Sequence, residues 1–456
     1  MEISTLFLAR IQFALSLNAH VLFAALAMAL GWILCVFRYQ AWQAPESGWT
    51  AAYRFWVRTF ALSFFLALAT ALPVLIEFGT LWPALIERTG NVAGPLLAFG
   101  LATFFITKAL FMGVVLFGQR RVSAKVHFFA VLMVALGLTL TLFWVVVLHT
   151  WAQAPVGAAP IDGRYQVYEW SEVILTPFVL WRSLGFVAGA FLFAGFLLLS
   201  VTVWQALRRP LDAGEHLSFR AGVLVSLCAL MLYWAALDGN ARMVARYQPT
   251  VAAAQVGYWY SSASPEWVWL GSPNVKTRST AVFLASDLSA QRWLGRQANG
   301  SLLGLDLTGE VLPPVVLLFW LLRAALLAGA LSSALLLFTL VVVLRKGLEP
   351  ARYPKWLLRT LVWSGGLGAL TWLLNWNLSD LGRAPYWVWG SLLQQDAVVQ
   401  APPATLAWVL AAALACYALM VTGFIQLLWH AARFGVVPVR KPGMRPCSTH
   451  WQLRWA

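Results

Sequence analysis

Apolar residues in this chain neither alternate nor recur on one helical face; they run in long stretches broken by short polar gaps. A bilayer core about 30 Å thick takes roughly 20 residues of helix. Runs of that length fall at 12–37, 56–77, 95–117, 126–149, 174–206, 219–237, 314–344, 357–378 and 403–430. They predict an all-α integral membrane protein of about nine transmembrane helices. The longest interruption, 238–313, carries the polar clusters "DGNARM", "SSASPEW", "GSPN" and "QANGS" and is expected to be an external loop. The chain thus divides into a six-helix part (1–237), the loop (238–313), a three-helix part (314–430) and a basic tail (431–456). No internal repeat points to an inverted-repeat transporter.

Composition agrees: 61% of residues are hydrophobic and 11% charged, with a mean hydropathy of +0.74. A net charge of +15 would suit nucleic acid, but the basic residues lie in the gaps between apolar runs and form no single amphipathic face. Nucleic acid is not an expected partner; the lipid bilayer is. Arg120, Arg121, Lys125, Arg208, Arg209, Arg345, Lys346, Arg352 and Lys355 share a side with Arg433, Arg440, Lys441 and Arg445 of the tail. The positive-inside rule therefore predicts a cytoplasmic C-terminus, an outside N-terminus and an external loop, in a bacterial-type inner membrane. The start, "MEIST", is acidic and its apolar run outlasts a signal peptide, so the first span is read as retained. Cys35, Cys228, Cys416 and Cys447 are far apart and form no C-x-x-C, which gives no support to zinc, an iron–sulfur cluster or covalent haem.

Ionisable groups inside spans are costly, by at least ~2.5 kcal/mol when charged. Here they are His20, Lys108 and Arg182, with Arg58 and Arg323 nearer the ends and Glu77 and Asp380 at helix termini. His20 lies within "RIQFALSLNAHVLFAALAMALGW", residues 10–32. A neutral imidazole bonded to a carbonyl is one reading of it; an iron ligand or proton relay in a dry span is another. Lys108, nearer mid-span, is expected to have a specific partner, and Arg182 either a partner or a snorkelling path. His149 is placed near Trp151, and the other histidines at helix ends or in the tail.

The segment "LARIQFALSLNAHVLF" resembles the first helix of subunit I of the cytochrome bd-type quinol oxidases. The likeness continues in order through "EFGTLWP" at 77–83, "FGLATFFITKALFMGVVLFG" at 99–118, "SEVILTP" at 171–177 and "LGRAPYWVWG" at 381–390. It implies a cofactor-binding set of His20, Asp380, Arg383, Trp376, Arg10 and Arg323. Within it His20 and Asp380 would ligate high-spin haem of b or d type, Arg383 would lie near haem carboxylates and Trp376 between two haems. It also implies a second membrane subunit similar to subunit II, with further electron-donating subunits a possible addition.

The departures from that family are specific. Phe99 and Thr107 stand where its third span has two glutamates, and Gly185 and Ala325 stand at the His and Met ligands of its low-spin b haem. A low-spin b haem is therefore not expected. In "RYQPTVAAAQ", Thr250 and Gln255 replace the lysine and glutamate of the quinol loop. Asp380 has two readings: a ligand one methylene shorter than the family glutamate, or an ion pair with Arg383. For the chain as a whole, the first reading is a membrane redox subunit that keeps high-spin haem and takes electrons from a partner for oxygen reduction. The second is a haem-poor or haem-free paralogue acting as a scaffold or quinone-interacting subunit.

Overall fold

A computed structural model describes residues 4–261, 266–286, 290–296, 301–307 and 311–434. The tail positions Arg440, Lys441, Arg445 and Cys447, and most of the "QANGS" cluster, lie outside them. The first half holds α1 (Thr5–Gln43), α2 (Trp49–Thr80), α3 (Pro83–Thr107), α4 (Gly113–Phe117) and α5 (Ala124–Gln153), then α6 (Trp170–Ile174), α7 (Val179–Ala206) and α8 (Ala213–Tyr247). The second half holds α9 (Pro249–Val256), α10 (Val315–Lys346), α11 (Lys355–Val362), α12 (Ser364–Leu381) and α13 (Pro403–Phe434). Eight helices among the described residues are long and apolar enough to cross a membrane, and α11 with α12, bent by 44°, makes a ninth.

Helix ends follow local chemistry. Ser4 and Ser123 accept from the backbone N–H of Phe7 and Val126 to start α1 and α5, and Asp212 with Glu215 forms a capping box at α8. A π turn, Lys108–Met112, joins α3 to α4. Thr107 just before it packs against Gly137 of α5, where any Cβ would overlap it. Helix α7 is the most enclosed span, 89% of its apolar window being buried, against 11% for α13. It packs on α8, α12 and α1, while α1 packs on α2 and α5, so α7 and α1 form the centre and α13 the rim.

Helix α8 outruns its predicted end at 237 and reaches Tyr247. The polar residues that lower its hydropathy are paired within the fold: Asp238 binds Arg242 one turn on at 2.9 Å, and Asn240 donates to the Trp181 carbonyl at 3.0 Å. The segment that follows is also not simple loop, because α9 is buried from Val251 to Val256. Beyond it β3 (Trp267–Asn274) and β4 (Ser279–Ser286) form a hairpin. Two smaller hairpins pair β1 (Ala158–Ile161) with β2 (Arg164–Val167) and β5 (Tyr386–Val388) with β6 (Leu392–Leu393). Asp162 and Gly163, both at positive φ, make the tight turn of the first.

Candidate functional site

Between α1, α2, α3 and α5 lies an apolar cavity of about 260 Å³. His20, His149 and Arg383 are the only ionisable groups on its described wall. Leu72, Leu101 and Phe105 line it too, yet are 57%, 38% and 55% exposed, so the cavity reaches the outer surface between α2 and α3.

His20 projects from α1 with Nδ1 3.0 Å from the carbonyl of Ala67 in α2. A carbonyl only accepts, so Nδ1 carries the proton and Nε2 keeps its lone pair. No hydrogen bond to Nε2 is found among the described residues, and the ring lines the cavity.

At the far wall a buried polar cluster joins α5, α7 and α12. Gln153, one turn beyond His149, places its amide Nε2 2.9 Å from His149 Nε2 and donates to the Ser379 carbonyl at 3.0 Å. Its Oε1 accepts from Arg182 Nη2 at 2.9 Å. With Gln153 donating, His149 carries its proton on Nδ1, which faces Asp380 Oδ1 at 3.6 Å. Arg383 donates to the same oxygen at 2.8 Å. His149 stacks on Trp376 at 4.9 Å and 27°, and Arg383 lies 4.5 Å from the centre of the Trp387 ring. Two arginines and one aspartate leave this cluster with an excess positive charge, in a place where unpaired charge is costly.

Two stretches far apart in sequence meet beside it. Trp82 of "EFGTLWP" packs edge-on to Trp387 of "LGRAPYWVWG" at 4.8 Å, and Phe13 of α1 touches both rings. A model of the cytochrome bd terminal oxidase subunit I family matches residues 8–436. The chain belongs to that family. Its relatives include cytochrome bd ubiquinol oxidase subunit 1 of Bacillus subtilis (strain 168), 25% identical, with 87% of this chain and 86% of the relative covered. Cytochrome bd-II ubiquinol oxidase subunit 1 of Escherichia coli (strain K12) is 24% identical, with 94% and 96% covered. The structure of bd oxidase from Geobacillus thermodenitrificans matches with a TM-score of 0.81 at 18% identity, covering 95% of this chain and 99% of that one. This chain is thus a multi-pass membrane protein of cytochrome bd subunit I fold.

The bd-type set predicted from sequence divides in space. His20, Arg383, Trp376 and Asp380 gather around the two cavity walls, but Asp380 itself is turned to Arg383 and His149 and does not line the large cavity. Arg323 is elsewhere in its bonding. It donates to the carbonyls of Gln255, Val256, Phe319 and Val268 at 2.6–3.2 Å, tying α10 to α9 and β3. Arg10 has a buried Nε without a hydrogen-bond partner. Lys108 opens the π turn, and no ion pair to it is found among the described residues. Arg182 bonds to Gln153 through the protein interior. Phe99 stacks on Trp144 at 5.1 Å. His149, Gln153 and Ser379 were not singled out as ligand or cluster residues from sequence; the available signal was the i,i+4 spacing of His149 and Gln153 on one face of a span.

A Cβ at Gly185 would meet the Asn240 amide nitrogen at 3.2 Å, and Ala325 is fully buried. Trp372 presses on Gly189 and Trp181 on Gly239 so closely that a Cβ at either glycine would overlap an indole. Trp372 in turn stacks on Trp376 at 6.3 Å and 6°. Beside Asn240 and Asn375 lie two small cavities of about 20 and 30 Å³, the first also lined by Gly185.

Proposed function

We propose that this chain is a membrane redox subunit of a cytochrome bd-type assembly that carries high-spin haem, of b or d type, in the apolar cavity, with His20 as an iron ligand. The observation that carries this reading is the Ala67 carbonyl on His20 Nδ1, which leaves Nε2 with a free lone pair on a ring that lines the cavity, the arrangement in which a second partner orients a ligating imidazole. A haem held there would supply one-electron redox chemistry for oxygen reduction.

The chain's own residues do the rest. The apolar wall excludes water. Arg383, on the wall and stacked over Trp387, offers its guanidinium to a haem carboxylate. The geometry favours Asp380 as the counter-charge of Arg383 and the positioning group of His149, over Asp380 as an iron ligand. Trp376 holds the His149 ring by stacking. Because Gly185 and Ala325 offer no ligand, low-spin b haem is absent from this reading, and electrons come from a partner. That partner is a second membrane subunit similar to cytochrome bd subunit II, with further electron-donating subunits as an extension. The exposed apolar surface of α13 leaves room for it. The C-terminus is taken as cytoplasmic, from the loop charges.

The absence of a ligand at Gly185 and Ala325 supports a second reading, a haem-poor or haem-free paralogue that serves as a scaffold or quinone-interacting subunit. A pyridine haemochrome assay on the purified complex separates the two. Haem in the sample without a sharp low-spin b band supports the redox subunit; no haem leaves the scaffold.

A further inference from the structure

Three cavities meet end to end. The large one shares His149, Val146 and Phe186 with the cavity of about 20 Å³, and that one shares Arg182, Asn240 and Asn375 with the cavity of about 30 Å³. The third reaches Gln255 and Trp293 beside the loop. Trp293 is half-buried there, and its Nε1 donates to Asp238, which is ion-paired to Arg242 and Arg292 near the surface. A buried water needs ~10–15 Å³ of such space and two to four polar partners. Both small cavities meet the size.

The partners are waiting. Arg182 Nε and Trp376 Nε1 are buried donors without a hydrogen bond, and Asn240 Oδ1 is a buried acceptor without one. The mixture of donors and acceptor decides the occupant. Water accepts from two and donates to the third, whereas a small anion would face the Asn240 oxygen.

We propose that these cavities hold a passage of ordered waters running from Trp293 at the loop, past Asn240 and Arg182, to His149 on the wall of the large cavity. The fixed charge of Arg182 lets water pass and repels hydronium, as a lone arginine does in a water pore. The passage runs beside Gly185 and is lined by the amides of Asn240 and Asn375. Its use as the way out for water formed in the large cavity rests on the redox reading above; its hydration does not.

Radiolytic hydroxyl-radical labelling of the purified full-length protein tests it, because a buried side chain is labelled only when a water touches it. Trp376, 9% exposed, is expected to be labelled at least about tenfold faster than Trp56, which is 0% exposed, is bonded to Ser218 and lines none of these cavities. Asn240→Leu should cut Trp376 labelling at least about threefold. Equal, slow labelling of Trp376 and Trp56 in the unmodified protein overturns the passage even if the variant fails to fold. Undiminished Trp376 labelling in a folded Asn240→Leu overturns the route. Haem assayed on the same sample tests the redox reading separately, since labelled Trp376 in haem-free protein keeps the passage and removes its use.

Discussion

Gln153 and His149, one helical turn apart on α5, are locked together: the amide Nε2 lies 2.9 Å from the ring Nε2, so the ring accepts and its Nδ1 proton faces Asp380. The same amide spends its oxygen on Arg182. Gln153→Leu therefore takes the acceptor from a buried guanidinium and the donor from the Ser379 carbonyl, at about 1–3 kcal/mol, while the His149 ring nitrogen keeps the Ser379 hydroxyl at 3.2 Å. Thermal unfolding in detergent should show a lowered midpoint. Gln153→Glu should lose less, because the carboxylate still accepts from Arg182 and balances the excess positive charge of the cluster.

His20→Ala should remove the absorbance of one haem while the helix stays inserted, since alanine suits a membrane helix and only the bond to the Ala67 carbonyl is lost. The stability change should stay within about 1–3 kcal/mol. An unchanged spectrum at normal expression would mean that His20 is only a core residue satisfied by that carbonyl.

Asp380→Asn separates a counter-charge from an iron ligand. With the carboxylate gone, Arg182 and Arg383 face each other's neighbourhood without compensation, so the variant should lose about 3–5 kcal/mol. Haem content per folded protein should be kept and its band shifted, since Asp380 acts through Arg383 and His149. Loss of a haem from folded Asp380→Asn protein would restore the ligand reading.

Gly189 and Gly239 lie directly under the indoles of Trp372 and Trp181. Gly189→Ala and Gly239→Ala each push a Cβ into Trp372 or Trp181, and should cost about 1–3 kcal/mol as overpacking does. Gly366→Ala on α12 meets nothing within 4 Å and should be neutral or stabilising by about 0.5–1 kcal/mol. Parallel melting curves of the three variants check the contrast.

The spans were legible because run length alone sets them, and "EFGTLWP" with "LGRAPYWVWG" carried the family even though their contact, Trp82 on Trp387, joins the start of α3 to a hairpin far along the chain. Hydropathy ended span six at 237 because it counts Asp238 and Asn240 as solvent-seeking; it cannot see that Asp238 pairs with Arg242 or that Asn240 donates to the Trp181 carbonyl. The site was half visible. His20 stood out as the one histidine of an apolar run. His149 did not, since its role depends on Ser379 and Asp380, more than two hundred residues away, which only packing of α5 on α12 brings near.

Arg323 shows the same limit from the opposite side. Its place in a span and in a family-like segment suggested cofactor binding, yet its guanidinium is occupied by four backbone carbonyls of α9, α10 and β3. Arg323→Met strips the donor from those buried acceptors, and with each left unsatisfied at ~1–3 kcal/mol the total should reach at least about 3 kcal/mol. Arg323→Lys keeps the charge but not the planar fork, so it should recover only part. The damage should be local: trypsin should cut the 266–286 hairpin region faster, while haem absorbance per folded protein stays at its original level. Haem lost with the hairpin still protected would return Arg323 to the cofactor site.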